Sequence, residues 1–210
     1  MIELYAITDH PGPPLPDVGP LNAVATEDLA AVCAPTSDGE VSPDALWRHE
    51  DVVEALMEDR DLLPVRYGTR LEDESAAVRA VAERYDELAV ALDRVRGAVE
   101  LSLRVLVADE PTKATRQEPA TGAEYLRAKT RCGVERETAV RILHEPLSIL
   151  ARASLQASPR SPSELLRAAY LVDRPTVESF VGLVARLQSV HPGLRLLCTG
   201  PWPPYSFAER

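Results

Sequence analysis

Val99-Glu100-Leu101-Ser102-Leu103-Arg104-Val105-Leu106-Val107 is the stretch from which the fold can be read. Val99, Leu101, Leu103, Val105 and Val107 fall on one side of an extended chain, with Glu100, Ser102 and Arg104 on the other. That alternation predicts a strand in a sheet with one buried face. Beyond it, Asp109 to Ala120 is polar and proline-flanked and reads as a loop. Thr121-Gly122-Ala123-Glu124 fits a capping box, predicting a helix to about His144 that ends at Pro146. Ile149–Gln156 reads as a strand, Ser158–Ser163 as a turn and Leu165–Val172 as the antiparallel return. Asp173 and Pro175 open another helix, with Val177, Phe180, Val181, Val184 and Leu187 facing inward. His191-Pro192-Gly193 ends that helix, and Leu194–Thr199 supplies the last strand. The order is β-α-β-β-α-β, a ferredoxin-like arrangement.

Reading back from Val99, Gly97 stops a helix whose stripe runs through Val78, Val81, Ala82, Tyr85, Leu88, Ala89, Leu92 and Val95. Leu63 to Thr69 alternates as a strand would. Ser42-Pro43 is a helix start, a capping hydroxyl before a proline at the first helical position, and predicts a helix to about Asp59. Strands are expected at Ile2–Thr8, Leu21–Ala25 and Leu29–Ala34, with a turn at Glu27 and Asp28. Residues 10–20 carry five prolines and two glycines and form a loop. The chain therefore reads as α+β, with an N-terminal α+β domain over 1–97 and a ferredoxin-like domain over 98–210. No flexible linker separates them, which predicts close packing.

The last strand runs into Gly200-Pro201-Trp202-Pro203-Pro204-Tyr205-Ser206-Phe207. Three prolines stiffen this tail and three aromatic rings make it costly to leave in water. One use is a clasp, with Trp202 and Tyr205 packed into a groove of the second domain. The other is presentation to a partner that reads an extended segment. One side can be buried while the other is presented.

Lys and Arg number 23 against 33 Asp and Glu, a formal charge of −10. Scattered cations on so acidic a chain argue against nucleic acid and anionic bilayers. No apolar run is long enough to span a membrane, and no signal peptide is apparent. Three dispersed cysteines, Cys33 and Cys198 in strands and Cys132 in a helix, read as reduced cytosolic residues. The histidines are too scattered for a metal site, and no phosphate-binding glycine loop occurs, so no cofactor is expected. The one arrangement suited to acid–base chemistry is His49 beside Glu50, with Arg66 and Tyr67 to follow. His49 lies three positions after Leu46 and four before Val53, on the helix's apolar side. This predicts a half-buried histidine with one hydrogen bond, and Arg66 pairing a carboxylate between the domains. The alternative is a ferredoxin-like small-ligand sensor or enzyme with a site at the domain junction.

Several of these stretches together resemble a known family. Leu63-Pro64-Val65-Arg66-Tyr67-Gly68-Thr69 follows the helix holding His49-Glu50-Asp51-Val52-Val53. Then come Glu83-Arg84-Tyr85, Gly122-Ala123-Glu124-Tyr125-Leu126, Ala168-Ala169-Tyr170-Leu171-Val172-Asp173 and the closing octapeptide. This ordered set resembles the GvpF/GvpL family of gas vesicle proteins over nearly the whole chain. Ala123, where a larger polar residue is expected, and the long proline-rich loop depart from the pattern. The resemblance implies two α+β domains, the second a modified ferredoxin-like one. It also implies a non-enzymatic accessory or minor structural protein, cytoplasmic or on the gas vesicle. Its implied partners are the hydrophobic major shell protein and other accessory proteins, with contact expected on the exposed side or an edge strand of the ferredoxin-like sheet. Candidate structural or partner-contact residues are His49, Arg66, Tyr67, Tyr125, Trp202, Tyr205 and Phe207.

Overall fold

The computed structural model describes residues 1–36, 42–107, 137–138, 140–161 and 163–208. The loop expected over 109–120, the capping box at 121–124, Tyr125 and Cys132 lie outside the described residues. Two compact units divide the chain: Met1–Glu100 with Trp202–Arg210, and Leu101–Pro201. The C-terminal tail therefore groups with the first unit, not the second as the clasp reading had it.

In the first unit β1 (Ile2–Asp9) is the hub of the sheet. It pairs antiparallel with β3 (Leu29–Pro35), β4 (Leu62–Pro64) and β5 (Arg70–Leu71), and β3 pairs with the edge strand β2 (Asn22–Thr26). β3 buries Leu29 through Ala34 without alternation, as a strand covered on both faces does. The β2–β3 hairpin turns at Glu27, whose φ of 56° is left-handed. The proline-rich loop is fastened by Arg60, whose guanidinium donates to the carbonyls of Pro13 and Pro14 at 3.3 and 2.7 Å.

Helix α1 (Pro43–Met57) starts as the sequence indicates, with the Ser42 hydroxyl accepting from the Ala45 amide at 3.1 Å. It turns His49, Val52, Val53, Leu56 and Met57 inward. The single helix expected before Gly97 is two, α2 (Glu74–Glu83) and α3 (Tyr85–Val95), broken at Arg84. α2 buries Ala77 and Val81, and α3 buries Ala91, Leu92 and Val95. At about 100° per residue, Leu92 and Val95 stay within about 40° of Val81, so the apolar stripe carries on across the break. Ala82, placed on the expected stripe, is exposed. The strand expected over Leu63–Thr69 is also shorter. It stops at Pro64 and resumes at Arg70 after a turn in which Gly68 adopts φ of 84°.

The second unit carries a four-stranded sheet in the order β7-β8-β6-β9, formed by β6 (Ala98–Val107), β7 (Ala153–Gln156), β8 (Glu164–Asp173) and β9 (Leu194–Trp202). β7 and β8 are antiparallel, with Ala153 opposite Leu171 and Gln156 opposite Ala168. Leu101, Leu103 and Val105 of β6 pack with Leu166, Tyr170 and Val172 of β8 and with Leu143, Leu147, Phe180 and Val184 from the helical segments. Those segments are a π-helical turn over Val140–His144 leading into α4 (Glu145–Ser148), and α5 (Val177–Val190). Pro146 does not end a helix. It lies in the first turn of α4, where a missing amide proton costs nothing. Val181, expected inside, is 46% exposed. Within the core the Tyr170 hydroxyl meets His144 Nδ1 at 2.7 Å, and burial lowers the pKa of that imidazole.

Candidate functional site

The sequence-predicted residues that the structure describes, all but Tyr125, fall into two clusters of the first unit. His49 organises one of them. It is 1% exposed, not half-buried, and both ring nitrogens are engaged. Nε2 lies 2.8 Å from the Val65 carbonyl and Nδ1 lies 3.0 Å from Glu3 Oε1. A carbonyl only accepts, so Nε2 carries a proton. The Nδ1–Glu3 contact must then hold another, on the imidazole or on the carboxyl. Either way the buried pair carries no net charge. A bulge in β1 at Tyr5, where Leu4 faces Cys33 and Ala6 faces Val32, leaves Tyr5 without a strand partner. Its ring stacks on His49 at 4.9 Å, and Tyr67 meets the imidazole edge-on at 5.6 Å. Burial, with the neighbouring Glu3 carboxylate, raises the pKa of Tyr5. The Gly68 amide also points at Glu3 Oε1, at 3.5 Å.

This cluster explains why Leu63-Pro64-Val65-Arg66-Tyr67-Gly68-Thr69 is not a plain strand. Its Val65 carbonyl, Tyr67 ring and Gly68 amide wrap the imidazole and its carboxylate. Arg66 is exposed, and its carbonyl accepts from the Thr69 amide and hydroxyl at 3.2 and 2.8 Å. An imidazole with both nitrogens satisfied inside a core has no lone pair or proton to offer a substrate. The Tyr67 hydroxyl is buried without a hydrogen-bond partner among the described residues.

The tail forms the second cluster. Gly200, within β9, holds φ of 118°, which a side chain at Cβ disfavours. Pro203 and Pro204 are buried, and α6 (Tyr205–Ala208) follows as a single turn. Phe207 is the plug, at 3% exposed, while Trp202 is 41% exposed. The expectation that Trp202 and Tyr205 fill the groove is thus half wrong, and the groove belongs to the first unit. Its fastening is polar. Buried Glu100 accepts from the Ser206 amide and hydroxyl, both at 2.8 Å. Burial raises the pKa of Glu100, and the two Ser206 bonds offset part of that rise. The Tyr205 hydroxyl donates to Glu50 Oε1 at 3.3 Å, and burial together with that carboxylate raises the phenol's pKa. Arg94 donates to the Phe207 carbonyl at 3.4 Å.

Sequence reasoning missed Glu3, Glu100 and Ser206. Glu3 and Glu100 are lone acids inside apolar strand runs, at Ile2-Glu3-Leu4 and Val99-Glu100-Leu101, and alternation assigned Glu100 to the outer face. The signal was available: each carboxylate has a polar partner elsewhere in the chain, but nothing local names it. Among the described residues, no group of three or more His, Cys, Asp or Glu is placed to hold a metal ion. No helix among them is long and apolar enough to cross a membrane.

Residues 3–209 match the family described as gas vesicle synthesis protein GvpL/GvpF. The chain is similar to gas vesicle protein L of Streptomyces sp. (strain CB03234), with 32% identity over 201 residues, 86% of this chain and 75% of that protein. It is similar to gas vesicle protein F2 of Halobacterium salinarum, with 24% identity covering 89% and 79% of the two chains. In fold it is similar to the crystal structure of the gas vesicle protein GvpF from Anabaena sp. PCC7120, with a TM-score of 0.83 at 19% identity over 100% of this chain and 96% of that one. The GvpF structure from Microcystis aeruginosa gives 0.79 at 17% identity, covering 100% and 99%.

Proposed function

This chain belongs to the gas vesicle synthesis protein GvpL/GvpF family, and on that premise we propose that it binds the hydrophobic shell protein and fellow accessory proteins during vesicle assembly. The observation that carries this reading is the extent of the family match, residues 3–209, which takes in both units and the closing tail. Shell subunits are apolar before they are built in, and a protein that covers such a surface keeps it from associating at random. We read the second unit as ferredoxin-like. The strand order β7-β8-β6-β9, with helical segments between β6 and β7 and between β8 and β9, supports that reading. Its exposed sheet side and its edge strands are the proposed contact for the shell protein. The role is non-enzymatic and its place is the cytoplasm and the vesicle surface. The engagement of both His49 nitrogens supports this, and Arg66, Tyr67 and Tyr205 are then structural or contact residues. The test is a pull-down of purified shell protein with the full chain. Retention of shell protein is expected, and its absence at any ratio of the two proteins overturns the reading.

A further inference from the structure

We propose that the outer face of α1 is a docking surface for a basic amphipathic helix of a partner protein. This goes beyond the shell-binding reading and does not depend on it. Asp44, Trp47, Asp51 and Glu54 recur at intervals of three and four, and Glu58 continues the line at the helix's C-terminal cap. These positions form one stripe along the helix. All five are exposed, and Trp47, at 67%, is more open than any other aromatic residue among the described ones. Leu46, beside it, is 41% exposed. The stripe is an apolar knob set among carboxylates.

Ion pairing among the described residues does not account for this arrangement. None of the four carboxylates has an ion-pair partner among the described residues. Like charges at these spacings repel, and Glu54 and Glu58 lie towards the negative end of the helix dipole, where anions are disfavoured. Arg48, the only arginine or lysine in α1, is turned back with its Nε donating to the Asp44 carbonyl at 3.3 Å. On the flank of the stripe, Glu50 is tied to Tyr205, so the tail and its exposed Trp202 continue this side of the first unit.

Charge decides the occupant. A second copy of this chain brings the same carboxylates to the face and is repelled, as are phosphate backbones and anionic lipid. A helix with leucine-like side chains on one face and lysine or arginine at its margins matches the stripe. Its apolar face covers Leu46 and the Trp47 ring, its cations meet Asp44, Asp51 and Glu54, and one of them stacks on the indole.

The experiment uses the full chain carrying Trp202→Phe, which leaves Trp47 as the sole tryptophan, and a labelled synthetic amphipathic peptide of leucine and lysine. Saturable binding is expected, with a blue shift of Trp47 emission and affinity that falls as salt rises. Asp51→Lys/Glu54→Lys and, separately, Trp47→Ala are each expected to weaken binding about tenfold or more by peptide anisotropy. Glu83→Lys/Asp86→Lys, the same charge change at exposed positions around the α2–α3 break, is expected to change it less than twofold. Absence of saturable binding overturns the proposal. So does equal weakening by the Glu83/Asp86 pair, which marks attraction to net charge alone, or equal binding of the same peptide with glutamate in place of lysine. Capture of shell protein by the Trp47→Ala chain is expected to persist, which separates failure here from failure of the shell-binding reading.

Discussion

Replacing Phe207 with alanine is expected to destabilise the first unit by about 4 kcal/mol. The ring is 3% exposed, so almost all of it leaves water when the tail closes. A buried phenylalanine removes roughly 150–250 Å² from water, about 4–6 kcal/mol at about 25 cal/mol per Å² and an upper bound. Measured losses for this substitution in other cores run about 3–5 kcal/mol. The polar fastenings use main-chain atoms, Ser206 and the Tyr205 hydroxyl, all of which the substitution leaves in place. In a unit of about one hundred residues, about 4 kcal/mol lowers the melting temperature by roughly 15–30 °C. Calorimetry of the full chain resolves that transition. Trp202→Ala, at a position 41% exposed, is expected to cost less than Phe207→Ala, because a large part of that ring stays in water in the folded state. A small loss for Phe207→Ala, or an equal loss for Trp202→Ala, refutes the assignment of Phe207 as the plug.

Two carboxyls give opposite pH signatures. Burial alone raises the pKa of Glu164, but the Arg160 amide and the Arg104 and Arg167 guanidiniums overcome it and hold it at about 2. Its folded pKa lies below the unfolded value of about 4.3, so its contribution is present above that pH and lost as pH falls towards 2. Glu164→Gln is expected to flatten the acid limb of the second unit's melting curve. Glu100 is shifted upwards, so its contribution is greatest below about pH 4.3 and declines as pH rises through the folded pKa. Glu100→Gln is expected to abolish that decline in melting scans of the first unit against pH. His49→Ala leaves buried Glu3 without its imidazole and opens a void beneath Tyr5. A loss of about 3–5 kcal/mol is expected in urea unfolding. Gln188 bridges the Leu194 carbonyl and the Leu196 amide at 2.8 Å each. Gln188→Ala is expected to raise hydrogen exchange at Leu196 by about tenfold, for roughly 1–1.5 kcal/mol lost.

What the sequence revealed and what it hid divide along physical lines. Leu101, Leu103 and Val105 alternate into one core, and the Ser42 cap and the Glu27 turn stand where local chemistry places them. Such signals live within a few residues of the chain. The break at Arg84 was hidden because Val78 to Val95 is periodic enough for one helix. Pro146 misled for a related reason, since the residue that ends one helix also suits the first turn of the next. In the tail, aromatic content was legible but not direction. Trp202 has the larger ring, yet the strand carries it past the groove, and the turn at Pro203-Pro204 delivers Phe207 instead. The carboxylates that fix both clusters, Glu3 and Glu100, meet partners 46 and 106 positions away, which no local pattern encodes.

The central claim, a part in forming gas vesicles, is tested most directly by deleting this chain in a vesicle-forming cell that has no paralogue and measuring the buoyant fraction. Loss of buoyant, pressure-sensitive vesicles, restored by the wild-type chain and not by Phe207→Ala above that variant's melting temperature, is the predicted result. Normal vesicles in the deletion strain contradict the account.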